Sequence, residues 1–279
     1  MILLADVGRS KTHWSVNDTE GRVIRSSRWE GRQAVLSEPY KWLKETGSAS
    51  FDGMVLGLAG LTALSSAEKT VLETCLKTWI RPEGHLVLCT DADLISACLL
   101  PESLAVSLGS GSVLIQSGRE GSTRITGGWG PKFGDELGAG WWWIQLVRHV
   151  MLVAEGRKPT DAVSVWMEKQ IGSGGRELLA VALQTSDEKA MQMAGEFLTE
   201  SPDPAWISST FSSGWQSLMT GIRWNQYRHV YFQGGLTGIP VIHQLILDHF
   251  LQSGVEHAPT RIDNLLKGAW FLWQHRSVC

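Results

Sequence analysis

The chain has 279 residues, enough to bury one large core or two smaller ones. Hydrophobic residues make up 43% and charged residues 19%, a globular composition that excludes disordered, fibrous and supercharged chains. Twenty-five Lys and Arg stand against 28 Asp and Glu, for a net charge of -3, and the basic residues are scattered. No nucleic-acid partner is therefore expected, while a small anion held locally by a glycine-rich loop is compatible with this balance.

Ile2 to Val7 is a short apolar run interrupted by Asp6 and ended by Gly8, and it predicts a buried first strand. Residues 12–18 and 22–29 follow as strands around a turn at Thr19–Glu20–Gly21, so the chain opens with an antiparallel meander. Residues 38–46 predict a helix, and Met54 to Leu58 a strand stopped at Gly57–Leu58–Ala59–Gly60. Ser65 with Glu68 three residues on is a capping-box pattern for a helix that runs to about Ile80 and is stopped by Pro82. Leu86 to Cys89 predicts a strand, and residues 92–100 a helix stopped by Pro101.

The pattern then begins again. Leu104 to Leu108 predicts a strand, Gly109–Ser110–Gly111 a tight turn, and Val113 to Gln116 and Thr123 to Thr126 two further strands. A glycine-dense loop, GGWGPKFGDELGAG, runs into a helix over about 138–155. Residues 156–229 are mostly helical, with breaks at Gly172–Gly175 and Ser201–Pro204. A strand over 230–233, a Gly234–Gly235 turn, a helix begun by Pro240 and a terminal helix over 260–275 complete the chain. Two sheet-opening segments, each with a glycine-rich turn beside an acidic residue, predict two α/β domains sharing a cleft, a single continuous sheet being the alternative. The expected division is 1–103 and 104–279, the second part carrying a helical insertion and the last helix free to pack back on the first.

Candidate chemistry sits at the strand ends. Asp6 lies near the end of the first strand, where a buried carboxylate needs a partner or a cation, and it is open to Mg²⁺ binding or to a plain hairpin role. Gly8, Arg9, Ser10, Lys11 and Thr12 follow, with small residues whose backbone N–H groups suit phosphate oxygens. Asp91 follows an apolar strand, where a carboxylate faces a cleft and can accept a proton from an attacking hydroxyl; the other reading is a helix cap. Asp93 reads as a first-turn helix residue. In the loop at 127–138, glycines permit close backbone approach to a polar ligand, Trp129 offers a stacking face for a sugar ring, and Asp135 offers an acceptor for sugar hydroxyls. Gly234–Gly235 can admit a base or ribose.

Trp141, Trp142 and Trp143 cannot share one helix face, so at least one is expected on a second packing surface. His149, His229 and His243 lack ligand spacing and read as structural. There is no Walker A loop, GxGxxG, GxSxG or HExxH motif. Cys75, Cys89, Cys98 and Cys279 form no CxxC pair and read as reduced thiols. No apolar run reaches spanning length and MILLADVG is too short for a signal peptide, so no membrane partner and a cytoplasmic location are expected.

Together, ADVGRSKT at 5–12, TDA at 90–92, LGSGSVLI at 108–115, GGWGPKFGDELGAGWW at 127–142, GG at 234–235 and LKGAWFLW at 266–273 resemble the N-acetylglucosamine kinase-like branch of the actin-like sugar kinase superfamily. That branch also includes the ATPases that activate benzoyl-CoA reductase. Their cluster cysteine has no counterpart in the glycine-rich turn after the second phosphate loop here.

The resemblance implies two ribonuclease-H-like domains flanking a central cleft walled by Asp6, Asp91 and Asp135. It implies ATP and Mg²⁺ as cofactors, with Asp6 serving the metal and residues 8–12 and Gly109, Ser110, Gly111 and Ser112 serving the phosphates. Gly234 and Gly235 border the adenosine, and the Gly-Ala of the closing helix packs near the nucleotide side. Asp91 matches the catalytic base, while Gly128, Trp129 and Asp135 border the sugar. Gln33 stands near the position where related kinases read a 2-acetamido group. The activity implied is phosphorylation of an amino sugar, N-acetylglucosamine or glucosamine, at its 6-OH, by an enzyme of a kind commonly found as a homodimer. Phosphoryl transfer to another small acceptor, or a nucleotide- or sugar-binding sensor without turnover, fits the same residues. Leu137 departs from the family pattern, which has glycine after the Asp-Glu pair.

Overall fold

The computed structural model describes residues 1–8, 11–30, 43–120, 122–172, 174–223, 226–253 and 259–275. The apolar alternation at the start of the chain becomes β1 (Ile2–Val7), β2 (Lys11–Asn17) and β3 (Val23–Glu30), an antiparallel meander. In β2 the inward set is Thr12, Trp14 and Val16, as the period of two requires. β4 (Phe51–Leu58) pairs parallel with β1, and β5 (Ile80–Cys89) parallel with β4, giving the sheet order β3-β2-β1-β4-β5. β1 and β4 are flanked on both sides, which is why both read as near-continuous apolar runs.

Helix α1 (Ser66–Lys77) starts at the expected reciprocal capping box of Ser65 and Glu68. It ends earlier than expected, at a cap on Thr78, whose hydroxyl donates to the Cys75 carbonyl at 2.7 Å. Pro82 does not stop this helix; it lies inside β5. The pairing steps from Phe51↔Ile80 to Gly53↔His85, so the residues between bulge out of the ladder, and a proline without an N–H is tolerated there on an edge strand. Helix α2 (Asp91–Ser96) is also shorter than the predicted 92–100, closing at Ala97. Of the helix expected over 38–46, residues 38–42 lie outside the described residues, and Leu43 to Glu45 are helical.

A second sheet repeats the plan. β6 (Ser103–Leu108), β7 (Ser112–Ser117) and β8 (Thr123–Gly127) form an antiparallel meander, while β9 (His229–Gln233) pairs parallel with β6 and β10 (Thr260–Arg261) parallel with β9. The order β10-β9-β6-β7-β8 is that of the first sheet read from the other edge. Between β8 and β9 come α3 (Ala139–Ala154), α4 (Ala162–Ile171), α5 (Gly175–Gln184), α6 (Asp187–Glu200) and α7 (Pro204–Leu218); α8 (Pro240–Gln252) follows β9 with proline in its first turn.

Trp142 and Trp143 are buried in this unit's core, while Trp141 is only partly buried on its flank. His149 is structural: its Nε2 lies 2.6 Å from Asp161 Oδ2, and its Nδ1 accepts from the Trp206 indole N–H at 3.0 Å, tying α3 to the start of α4 and to α7. Among the described residues no helix is long and apolar enough to cross a membrane.

The expected terminal helix over 260–275 begins only at Leu266, after β10 has completed the second sheet's edge. Asn264 Oδ1 accepts the Leu266 N–H at 2.9 Å, and α9 runs Leu266–Gln274. Chain contacts divide the protein into one unit of Met1–Leu100 with Ile262–Cys279 and another of Pro101–Arg261, so α9 belongs to the first unit. Each unit is an α/β layer structure built on a mixed five-stranded sheet.

Candidate active site

In the first unit the parallel strands β1, β4 and β5 end at the same edge of the sheet, where ligands of open α/β sheets are usually met. Asp6 stands at that edge, paired across the backbone with Gly57 on β4 and His13 on β2. The chain leaves β5 at Cys89, and Asp91 follows as the first residue of α2. The cap of α2 is Thr90, not Asp91. The Thr90 hydroxyl oxygen accepts the Asp93 N–H at 3.1 Å, and Asp93 Oδ2 accepts the Thr90 N–H at 2.8 Å. The capping alternative for Asp91 is thereby removed, and Asp93 takes the third position of the capping box.

Two glycines set the height of α2. A Cβ on Gly57 would stand 2.2 Å from Leu94 Cδ1, and one on Gly268 of α9 would stand 2.1 Å from the Leu94 carbonyl oxygen. α2 is thus clasped between β4 and α9, which brings Asp91 toward Asp6. The electrostatics register that approach. Burial first, and the negative charge of Asp91 second, push the Asp6 carboxyl from 3.8 up to about 7. Two carboxylates that repel each other at a strand edge call for a proton or a cation. Among the described residues no group of three or more His, Cys, Asp or Glu could hold a metal by itself. Mg²⁺ fits the pair nonetheless, because it keeps several waters and usually takes only one or two protein carboxylates beside substrate phosphates.

The first glycine turn is short. The Gly8 N–H donates to the Lys11 carbonyl at 2.9 Å, and Lys11 is exposed. Thr12 is fully buried, so its side chain is turned inward by the strand alternation and away from any phosphate. Arg9, Ser10 and Gln33 lie outside the described residues.

In the second unit three glycine-rich segments meet at the ends of β6 and β9. The Gly109–Gly111 turn closes on itself, with the Gly109 N–H donating to the Gly111 carbonyl at 2.9 Å. The first N–H groups of α3 dock on it: Ala139 donates to the Gly109 carbonyl at 2.9 Å and Gly140 to that of Ser110 at 3.1 Å. The positive end of the α3 dipole therefore faces this turn, a placement that favours an anion beside it. Gly234, at φ 107, lies directly under β6: a Cβ there would stand 2.1 Å from the Leu108 carbonyl oxygen. Gly109 and Gly235 have open space on their Cα faces. Ser112 is 2% exposed, so its hydroxyl is turned into the fold while its neighbours form the turn.

The loop at 127–138 is pinned to that turn by Asp135. This residue is 3% exposed and accepts the Gly130 N–H at 3.1 Å. Its carboxylate is pressed against Gly111, where a Cβ would stand 2.1 Å from Asp135 Oδ2, while a Cβ on Gly138 would meet the Gly111 backbone at 2.6 Å. Asp135 thus faces the Gly109–Gly111 turn and the loop backbone, with little surface left for a sugar hydroxyl. Gly128 donates to the Ser112 carbonyl at 3.0 Å, and Trp129 stands 77% exposed. Phe133, which the sequence reading passed over, is 87% exposed on the same loop; its aromatic character among glycines was the available signal. Leu137 occupies the left-handed region at φ 69 where glycine would be at ease, and its full burial in the core holds it there.

Gly111→Ala is expected to force Asp135 off the turn, because the added methyl and the carboxylate cannot share that space. We expect a loss of about 2–4 kcal/mol in unfolding free energy, the range for overpacking combined with a broken buried hydrogen bond. Urea denaturation of the variant checks it, and wild-type stability would contradict this packing.

No family model and no curated protein matches the sequence. Solved structures do. A candidate N-acetylglucosamine kinase from Chromobacterium violaceum superposes with a TM-score of 0.73 at 19% identity, over 97% of this chain and 98% of that one. Another candidate N-acetylglucosamine kinase, from Porphyromonas gingivalis, gives 0.76 at 15% identity over 99% and 100%. A ROK family glucokinase from Streptomyces griseus, in complex with glucose and AMPPNP, gives 0.54 at 14% identity over 96% and 97%. At these identities the likeness establishes the fold alone.

Proposed function

We propose that this chain is an ATP-dependent sugar kinase that transfers the γ-phosphoryl group to a hydroxyl of an amino sugar, with N-acetylglucosamine or glucosamine as acceptor and the 6-OH as the position. The observation that carries the reading is the carboxylate pair, Asp6 and Asp91, at the carboxyl edge of the first sheet, close enough for the charge of Asp91 to raise the affinity of Asp6 for a proton. A like-charged pair at a strand edge is unfavourable in a purely structural role and useful where a metal and a base work side by side.

Each residue then has a task. Asp91 accepts the proton of the sugar hydroxyl as the oxygen attacks phosphorus; the bond from phosphorus to the β,γ-bridging oxygen breaks, and ADP leaves. Asp6 would hold Mg²⁺, and the ion would offset the negative charge of the phosphates. The Gly8 and Gly109–Gly111 turns, with the α3 dipole behind the second, take phosphate oxygens through backbone N–H groups other than those of Gly8 and Gly109, which bond within their own turns. Gly235, open on its Cα face, leaves room for the adenosine, and Gly234 seats that turn against β6. Trp129, exposed on its loop, stacks on the sugar, Gly128 allows the loop to approach it, and Asp135 fixes the loop relative to the phosphate turn.

The test is ADP release from Mg²⁺ and ATP over a panel of glucose, glucosamine, N-acetylglucosamine and N-acetylmannosamine. Release that depends on an amino sugar is the expected result. Saturable binding of sugar or nucleotide without release would instead establish a sensor, and release equal without any sugar would establish an ATPase.

A further inference from the structure

A cavity of about 720 Å³ lies at the other end of the second sheet from the glycine turns. The register fixes this separation. β6 and β7 pair from Leu108↔Ser112, beside the Gly109–Gly111 turn, to Ser103↔Ser117, beside the cavity. At ~3.3 Å per residue the two ends stand roughly 15–20 Å apart. The strand β9 starts at the same far end, with His229 opposite Ser103, and Arg124 on β8 stands opposite Gln116.

Among the described residues, three arginines, Arg119, Arg124 and Arg228, line this cavity with a single carboxylate, Glu102. Glu102 is 17% exposed in its side chain and grips both of its neighbours: Oε1 accepts from Arg119 Nε at 2.5 Å, and Oε2 lies 3.1 Å from Arg228 Nε. Its carboxyl is held below the ordinary range by the Arg119 hydrogen bond first and the nearby positive charges after it. A guanidinium has five N–H donors, so each arginine held through its Nε keeps donors for a second anion. The Tyr227 hydroxyl donates to Gln116 Oε1 at 2.6 Å and braces the wall. Burial raises the Tyr227 phenol while the charge of Arg124 pulls it down, which places Arg124 on the same wall.

We propose that this cavity is a binding site for a small phosphate monoester, separate from the phosphate turns. Counting three arginines against one glutamate, its lining carries two net positive charges, which match the dianion of a phosphate monoester. Planar guanidinium forks held by a shared carboxylate are suited to its oxygens. The site is one concave pocket rather than a basic stripe, and the whole chain is acidic at -3, both of which favour a small ligand over a nucleic acid.

Isothermal titration of the full chain with glycerol 3-phosphate, with the nucleotide site saturated by AMPPNP, tests the proposal. Saturable one-site binding is expected, weakened about tenfold or more in Arg124→Ala and in Arg228→Ala, the effect of losing one charge-assisted contact. Both side chains are exposed, and an unchanged thermal midpoint verifies that the variants fold. Absence of saturable binding, binding undiminished in both variants, equal binding of succinate, or binding confined to a phosphopeptide or an oligonucleotide would each overturn it.

Discussion

On the proposed function, Asp91→Asn is expected to abolish sugar phosphorylation while leaving the fold and ATP binding intact. Asparagine keeps the shape of the side chain and loses the ability to take a proton, and general-base removal lowers turnover about 10²–10⁴-fold. The helix behind it should be undisturbed, because its cap is made by Thr90 and Asp93. A second readout separates a catalytic loss from a folding loss. The charge of Asp91 is one of the two causes that raise the Asp6 carboxyl, so the variant should move the Asp6 titration down toward its ordinary range. Carboxyl-carbon NMR titration follows that shift and ADP release follows turnover. Unchanged turnover would remove Asp91 from the mechanism.

Asp6→Asn should be nearly as severe for activity and opposite in sign for stability. On the proposed function, loss of the carboxylate assigned to Mg²⁺ removes several kcal/mol of charge stabilisation, about 10²–10³-fold or more in turnover. In the metal-free wild type, Asp6 titrates near 7 when folded against 3.8 ordinarily, so the folded state binds the proton more tightly than the unfolded chain. Its contribution to stability is complete below 3.8 and is lost as the pH rises to about 7, at no more than about 1.4 kcal/mol per pH unit. Asparagine carries no such dependence. Urea unfolding in EDTA should show the variant more stable than wild type at pH 8 and the two converging toward pH 4. A wild type whose stability is flat across this interval would contradict the raised Asp6 carboxyl. The same proton must leave when a cation binds, so Mg²⁺ should stabilise the wild type increasingly as the pH rises.

Much of the fold was legible because period-two apolar runs and turn chemistry are local. The limits of β1 match the first apolar run, and the meanders at the start of both sheets follow from the turns between their strands. Ser65 and Glu68 announced α1 correctly. The same rule was available at Thr90 and Asp93, where it distinguishes the cap from Asp91; Asp93 does stand in the first turn, as expected, but the Thr90 cap was missed. Pro82 misled because a proline is a helix stop only where a helix is present; here pairing with β4 carries the chain through it as strand, with the extra residues expelled as a bulge.

The candidate site divides along the same line. Positions of Asp6, Asp91 and the glycine turns at strand ends could be read from the chain, since strand ends are marked by where apolar runs stop. The inward turn of Thr12 follows from its alternation with Trp14 and Val16, but the seating of Asp135 against Gly111 could not be read there. Leu137, where the family pattern has glycine, is held at positive φ by a core that only the folded helices α3 and α7 supply.

By itself, then, the order of residues determined two three-strand meanders, each with a glycine-rich turn beside an acidic residue, because hydrophobic alternation and backbone permissiveness act over a few neighbouring residues; the parallel pairings and the edge strand β10 came from the fold. The tertiary structure alone decided which carboxylates feel each other. Asp6 and Asp91 are far apart along the chain and meet because side-chain-free surfaces at Gly57 and Gly268 let α2 settle against the sheet. Distance through space, and the low-dielectric surroundings that amplify charge across it, exist only once the sheet and its helices have packed.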